Sequence, residues 1–241
     1  IDPKDVILVG LPTYFGGPGA VRSRGGKVAG VPLDHNGLNV DALHREVKRL
    51  KAAGERVKGV YVIPNFQNPT GTTLSLERRS HIVELAEHYD LVIFEDDPYG
   101  DLQFEGERHP PIIALDTHGR VVHMRSMSKT FAPGLRVAWT IGAPELIRKM
   151  VVAKQFVDVA TNSLAQYILL EFIRSGLWEK RVQLNNQYYK GKRDFMLQQL
   201  AAHFPKEVRW NQPNGGFFIF VRLPKSLNAS ALLTEAIEHN V

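Results

Sequence analysis

Two hydrophobic periods take turns along this chain. Short β-branched runs at 6–10, 28–31, 57–63, 91–95 and 120–124 predict strands, while apolar residues spaced by three and four at 40–51 and 75–89 predict amphipathic helices between them. The predicted strands are apolar throughout instead of alternating. Such runs suit strands covered on both faces, and helical crossovers between strands give that arrangement, so the pattern implies an α/β fold with a mostly parallel, doubly wound sheet. Beyond Pro144 the period is helical, at 146–156, 163–175 and 179–202. The stretch EVRWNQPNGGFFIFVRL then predicts two short strands around a Pro-Asn-Gly-Gly turn, and NASALLTEAIEHN predicts a helix capped by Asn228 or Ser230. The expected organisation is a large domain over 1–179, followed by a connecting helix and the start of a smaller α+β domain over 180–241.

Composition narrows the setting without naming a task. With 44% hydrophobic and 23% charged residues among 241, the chain has the make-up of an ordinary globular protein. The absence of cysteine excludes disulfides and thiolate metal sites, and no apolar stretch is long enough to span a bilayer, so a cytoplasmic protein without a membrane partner is expected. The net charge of +5 is dispersed, with no run of five or six like charges to serve as a nucleic-acid arm.

Chemistry in a doubly wound sheet collects at the carboxyl ends of the strands. Four predicted strand ends carry polar loops: LPTYFGG, PNFQNPTGTT, DDPYGD and RSMSKTFAPGLR. Each has a plain structural explanation. Tyr14 suits a half-buried turn, Asn68 an Asx turn ahead of Pro69 with Gly71 at positive φ, and Asp96 with Asp97 a helix cap or metal pair. Lys129 could be a solvated surface lysine, and Arg136 could pair with a carboxylate. One task uses all of them together. A lysine that is desolvated and near other cations loses its proton readily and can form an imine with an aldehyde. Pyridoxal 5'-phosphate is such an aldehyde, and it also needs a carboxylate for its ring nitrogen, hydroxyls and an arginine for its phosphate, and an aromatic face for its ring. Tyr14, Asn68 and Tyr99 are available for the ring and its phenolic oxygen.

The motifs NPTG, DDPY and SMSKTFAPGLR, in that order, resemble those of the fold type I pyridoxal-phosphate aminotransferases, especially the branch with 2-aminoadipate and kynurenine aminotransferases. PTYFG near the start and PNGGFFIFVRLP near the end extend the resemblance over nearly the whole chain. The resemblance implies an aminotransferase that moves an amino group between an α-amino acid and a 2-oxo acid by a ping-pong Schiff-base mechanism. It implies that Lys129 is the Schiff-base lysine, that Asp96 partners the pyridine nitrogen, and that Tyr99 and Asn68 hydrogen-bond the phenolate oxygen. Ser126, Ser128 and Arg136 would hold the phosphate, and Tyr14 would stack on the ring. A homodimer is implied as well. Family members are longer at both ends, so the N-terminal arm, the glycine-rich loop and the arginine that clamps the substrate carboxylate are expected to lie outside this sequence. A polypeptide of these residues alone is expected to be inactive.

Two rival motifs fail on their own terms. Ser126 to Lys129 reads as S-x-x-K, but the accompanying S-D-N and K-T-G elements are missing; GGPGAVRSRGGKV misses a phosphate-binding loop because Val21 and Val28 stand where glycine and a hydroxyl are needed. One alternative of another class stays open at this level. MocR-type regulators join a DNA-binding segment to an aminotransferase-like sensor domain, and a nucleic-acid partner would follow only from such a segment.

Overall fold

In the computed structural model, which describes residues 1–240, the apolar runs pair into one seven-stranded sheet. Its strands are β1 (Val6–Leu11), β2 (Lys27–Asp34), β3 (Gly37–Leu38), β4 (Val57–Val62), β5 (Val92–Asp96), β6 (Val121–Ser126) and β7 (Ala138–Ile141), in the order β3-β2-β1-β4-β5-β6-β7. The five central strands are parallel, whereas β3 and β7 turn back antiparallel at the two edges. The mostly parallel α/β sheet expected from the sequence is therefore present. Both edge strands escaped the hydrophobic pattern because β3 has only two residues and β7 only four.

Helices α1 (Gly16–Ser23), α2 (Val40–Ala52) and α3 (Leu76–Tyr89) lie between the strands. Strand alternation divides the core. Leu8, Val60, Val62 and Ile93 face Leu43 and Val47 of α2 and Ile82 of α3, while Ile7, Val9 and Tyr61 face the other way, toward Val21 of α1, Tyr99 and Leu102. Helix α1 was missed by the sequence reading because Gly-Gly-Pro-Gly at its start reads as a loop. The caps of the other two are conventional: Asn39 accepts the Ala42 N–H at 2.8 Å and Ser75 accepts that of Arg78 at 3.3 Å.

The remaining helices are α4 (Pro144–Gln155), α5 (Ser163–Arg174), α6 (Leu177–His203) and α7 (Ala229–Glu238), the last capped by Asn228. The two strands expected around the Pro-Asn-Gly-Gly turn are β8 (Arg209–Trp210) and β9 (Val221–Arg222), an antiparallel pair. They are shorter than the sequence suggests. Phe217 and Phe218 are used for packing instead, both edge-on to Tyr99. The division expected after residue 179 falls within the first turn of α6. Among the described residues, no helix is long and apolar enough to cross a membrane.

A single ion pair closes the β2–β3 hairpin onto α3. Arg78 donates to both carboxylate oxygens of Asp34, at 2.7 and 2.8 Å, and reaches the Leu38 carbonyl at 3.1 Å. The Arg78 hydrogen bond outweighs partial burial and holds the Asp34 carboxyl at about 2. A depressed folded-state pKa adds stability that is complete above the ordinary aspartate range and vanishes as pH falls toward the folded value. We expect Asp34→Asn to lose about 1–2 kcal/mol at neutral pH, and to flatten the decline in stability between about pH 4 and about pH 2. Urea denaturation across that range checks both.

Candidate active site

The strand order reverses between β1 and β4, and at such a switch the loops leaving the carboxyl ends diverge and open a crevice. The loops after β1 and β4 are tied together there. Buried Gln67 donates to the Pro12 carbonyl at 2.9 Å and accepts from both the N–H and the hydroxyl of Thr70, at 2.9 and 2.6 Å. Asn68 stands at the hydroxyl of Tyr99, favouring its ionised form, but burial dominates and pushes that phenol up. Gly71 has the positive φ anticipated for it, 65°, and a Cβ there would come within 2.5 Å of the Phe218 carbonyl oxygen.

At the end of β5 the two adjacent carboxylates go to different partners. Asp96 Oδ2 accepts the Tyr61 hydroxyl at 2.5 Å, whereas Asp97 Oδ1 accepts the Asn65 amide at 2.9 Å. A metal pair would need both carboxylates turned toward one point. Asn65 Oδ1 in turn accepts from Arg79 at 2.6 Å, and Arg79 is fully buried. Burial raises both carboxyls above the ordinary range; the Tyr61 hydrogen bond opposes this at Asp96, and the Asn65 amide with the Arg125 charge opposes it at Asp97. Behind them lies Glu95, fully buried, accepting the N–H groups of Ile112 and Ile113 at 2.7 and 3.1 Å and facing His123 Nδ1 at 2.7 Å.

Next to this strand, β6 ends on Ser126. Its hydroxyl accepts the Ser128 N–H at 3.0 Å and donates to the Ser128 hydroxyl at 2.7 Å, which starts a short 3-10 turn over Met127–Lys129. Pairing of Ser126 with Ala138 and a bond from the Met127 N–H to the Val137 carbonyl bring Arg136 back beside this turn. Arg136 occupies the left-handed region at φ 56° and has no carboxylate partner among the described residues. Two hydroxyls and a cation without a counter-charge form a donor set for an anion. Lys129 corrects one expectation. The sequence argument called for a desolvated ammonium, but Lys129 is exposed, because it projects from the end of a single turn at the rim of the sheet.

Tyr14 follows β1 and lies over α1, where the bare Cα of Gly16 leaves room for its ring. With Tyr61 and Asp96 it borders a cleft of about 450 Å³ on the second face of the sheet. The structure thus joins Tyr14 with Asp96, and Asn68 with Tyr99, and groups Ser126, Ser128, Lys129 and Arg136 on the neighbouring strand end. Sequence reasoning missed Tyr61 and Asn65. Tyr61 carried a usable signal, a polar tip in an aliphatic strand two residues from its end. Asn65 carried none, since asparagine after Pro64 reads as a plain turn residue.

The chain as a whole is similar to known proteins. Residues 1–241 match the profile of the family described as aminotransferase class I and II. The chain is 39% identical to aromatic-amino-acid aminotransferase 1 of Thermococcus litoralis and 36% identical to the 2-aminoadipate transaminase of Thermus thermophilus, each alignment covering 100% of this chain. It spans 58% and 60% of their respective lengths. The crystal structure of Pyrococcus horikoshii kynurenine aminotransferase superimposes with a TM-score of 0.96 at 39% identity, over 99% of this chain and 59% of that one. An HTH-type transcriptional regulator of Bacillus subtilis is less similar, at 32% identity, with 48% of its length covered.

The separate partners of the two carboxylates predict separate losses. Asp97→Ala removes the acceptor of Asn65 and a charge facing buried Arg79, so it should cost about 2–3 kcal/mol of stability. Asp96→Asn, at the edge of the cleft, should leave the melting temperature nearly unchanged; thermal denaturation of the two variants side by side checks the contrast.

Proposed function

Starting from the chain's place in the class I and II aminotransferases, to which it belongs, we propose that this protein moves an amino group between an α-amino acid and a 2-oxo acid with pyridoxal 5'-phosphate as cofactor. One observation carries the reading. A carboxylate held on one oxygen at the end of β5 stands next to a β6 loop offering Ser126, Ser128, Lys129 and an uncompensated Arg136. That set fits the group, with an acceptor for a ring N–H, donors for a phosphate and an amine for an aldehyde. Relatives named for aromatic amino acids, 2-aminoadipate and kynurenine support an α-amino acid as donor and leave its side chain unassigned.

When bound, the cofactor supplies an electron-withdrawing ring that stabilises negative charge at the carbon losing its proton. In this reading Asp96 holds the proton on the ring nitrogen, while Tyr99 and Asn68 donate to the phenolic oxygen. Tyr14 covers a face of the ring, and Ser126, Ser128 and Arg136 bind the phosphate. Lys129 Nζ would hold the aldehyde carbon, and its amine, when free, would move the proton at the substrate Cα. Orientation is part of the task, because the bond that breaks must stand across the ring plane.

The same reading includes a large cofactor-binding domain over 1–179, the start of a smaller one over 180–241, a cytoplasmic location and a homodimer. Supporting the last, Phe156, Val159, Leu164 and Tyr167 around the α4–α5 corner are large apolar side chains left mostly exposed, which suits burial against a partner. Sedimentation of the full-length protein should then show a dimer; a monomer that binds the cofactor fully at every concentration contradicts it. For the site itself, borohydride reduction of the cofactor-loaded full-length protein should fix the label on the peptide containing Lys129. The Lys129→Ala variant should carry none. Label on any other lysine overturns the assignment.

A further inference from the structure

We infer that Tyr61 is a positioning residue for Asp96, fixing carboxylate oxygen Oδ2 so that Oδ1 is the oxygen presented to the cofactor's ring nitrogen; this rests on the aminotransferase reading. The geometry follows from strand pairing. Tyr61 of β4 stands opposite Phe94 of β5, so Asp96, two residues further, projects from the same face one step along the neighbouring strand. A tyrosine is long enough to span that diagonal, and its hydroxyl meets Oδ2 at 2.5 Å. Among the described residues, Asp96 Oδ1 takes no hydrogen bond.

The phenol is held in this pose from behind. Gly17 of α1 packs so tightly against it that a Cβ would come within 2.8 Å of Tyr61 Cε1, and Ile7, Val9 and Val21 complete an apolar bed around the ring. Burial and the neighbouring carboxylate both keep the proton on the Tyr61 oxygen, which therefore acts as donor. The charges facing Asp96 are those of Asp97, which opposes its ionisation, and His123, which favours it when protonated.

This bond has a chemical consequence beyond packing. Burial alone favours a protonated Asp96, and the Tyr61 hydrogen bond is the largest influence acting the other way. A carboxylate deprived of it becomes more basic, so a proton shared with a ring nitrogen moves toward Asp96. The ring then loses the positive charge that makes it an electron sink. Phenylalanine at 61 would keep the apolar bed filled and remove only the hydroxyl.

The test uses the full-length protein loaded with pyridoxal phosphate labelled with nitrogen-15 in the ring, comparing wild type, Tyr61→Phe and Asp96→Asn. Wild type should show a ring-nitrogen resonance near the protonated position, and Asp96→Asn should move it to the deprotonated one. Tyr61→Phe should move it part of the way, with a fall in kcat of roughly tenfold and little change in the KM for the amino acid. Gly17→Ala, which crowds the ring without deleting the hydroxyl, should shift the resonance in the same direction. If Asp96→Asn moves the resonance while Tyr61→Phe and Gly17→Ala leave it at the wild-type position, the role of Tyr61 is overturned and the aminotransferase reading stands. If Asp96→Asn also has no effect, Asp96 is not the ring partner and the inference falls with that assignment.

Discussion

Arg79 is a complete cation with no access to solvent, and much of the functional edge is arranged around keeping it there. Its guanidinium is distributed over the carbonyls of Leu74, Pro64 and Pro110 and the side chain of Asn65. The nearby carboxylates of Asp97 and Glu95 supply the opposing charge. Burying an arginine is costly unless every donor is met and charge is balanced close by. Meeting those demands fixes three chain segments relative to one another: the turn after β4, the start of α3 and the stretch leading to residue 112. The ends of β4 and β5 are thus not free to drift apart.

From that constraint the division of labour at Asp96 and Asp97 follows. Asp97 is committed, through Asn65, to the arginine, and Gly100 is needed beside it because a Cβ there would meet the carboxylate at 2.5 Å. Alternation at the end of a strand sends the preceding residue elsewhere, so Asp96 is released toward the cleft where, among the described residues, Tyr61 alone hydrogen-bonds its carboxylate. Two identical side chains side by side acquire different roles through their surroundings. Their raised carboxyls share a cause in burial; what separates them is which hydrogen bond opposes it.

How much of this could be read from the sequence depended on the range of the interactions involved. Central strands and the helices other than α1 were legible because apolar periodicity is local, and α2 and α3 also carry caps in Asn39 and Ser75. The motif loops were legible because a shared chemistry explains their residue types together. Edge strands β3 and β7 were not, since two and four residues are too few to show a period even though each pairs with the strand just before it. Asn65 and Arg79 were equally hidden, because a buried charge is invisible until its shell of carbonyls, drawn from residues 64, 74 and 110, is assembled. The desolvation expected for Lys129 failed for a related reason. A residue type and its neighbours in sequence do not determine what stands over its ammonium.

The segment beyond α6 bears on the same edge through bonds of long range. Asn211 donates to the Thr70 carbonyl at 2.7 Å while accepting the Phe220 N–H at 2.6 Å, which lashes the turn before β9 to the loop that carries Asn68. Gly71 allows this approach, and Tyr99 receives the edges of Phe217 and Phe218. From α6 itself, Asn185 and Asn186 reach the carbonyls of Thr130 and Asp101, next to the Lys129 turn and just after Tyr99. Three of the four candidate loops are therefore braced by residues after 180. The bond of Asp96 to Tyr61, by contrast, lies wholly within the sheet and depends on none of these contacts. The Tyr61–Asp96 bond, made between adjacent strands, is in this way separate from the loops that residues after 180 brace.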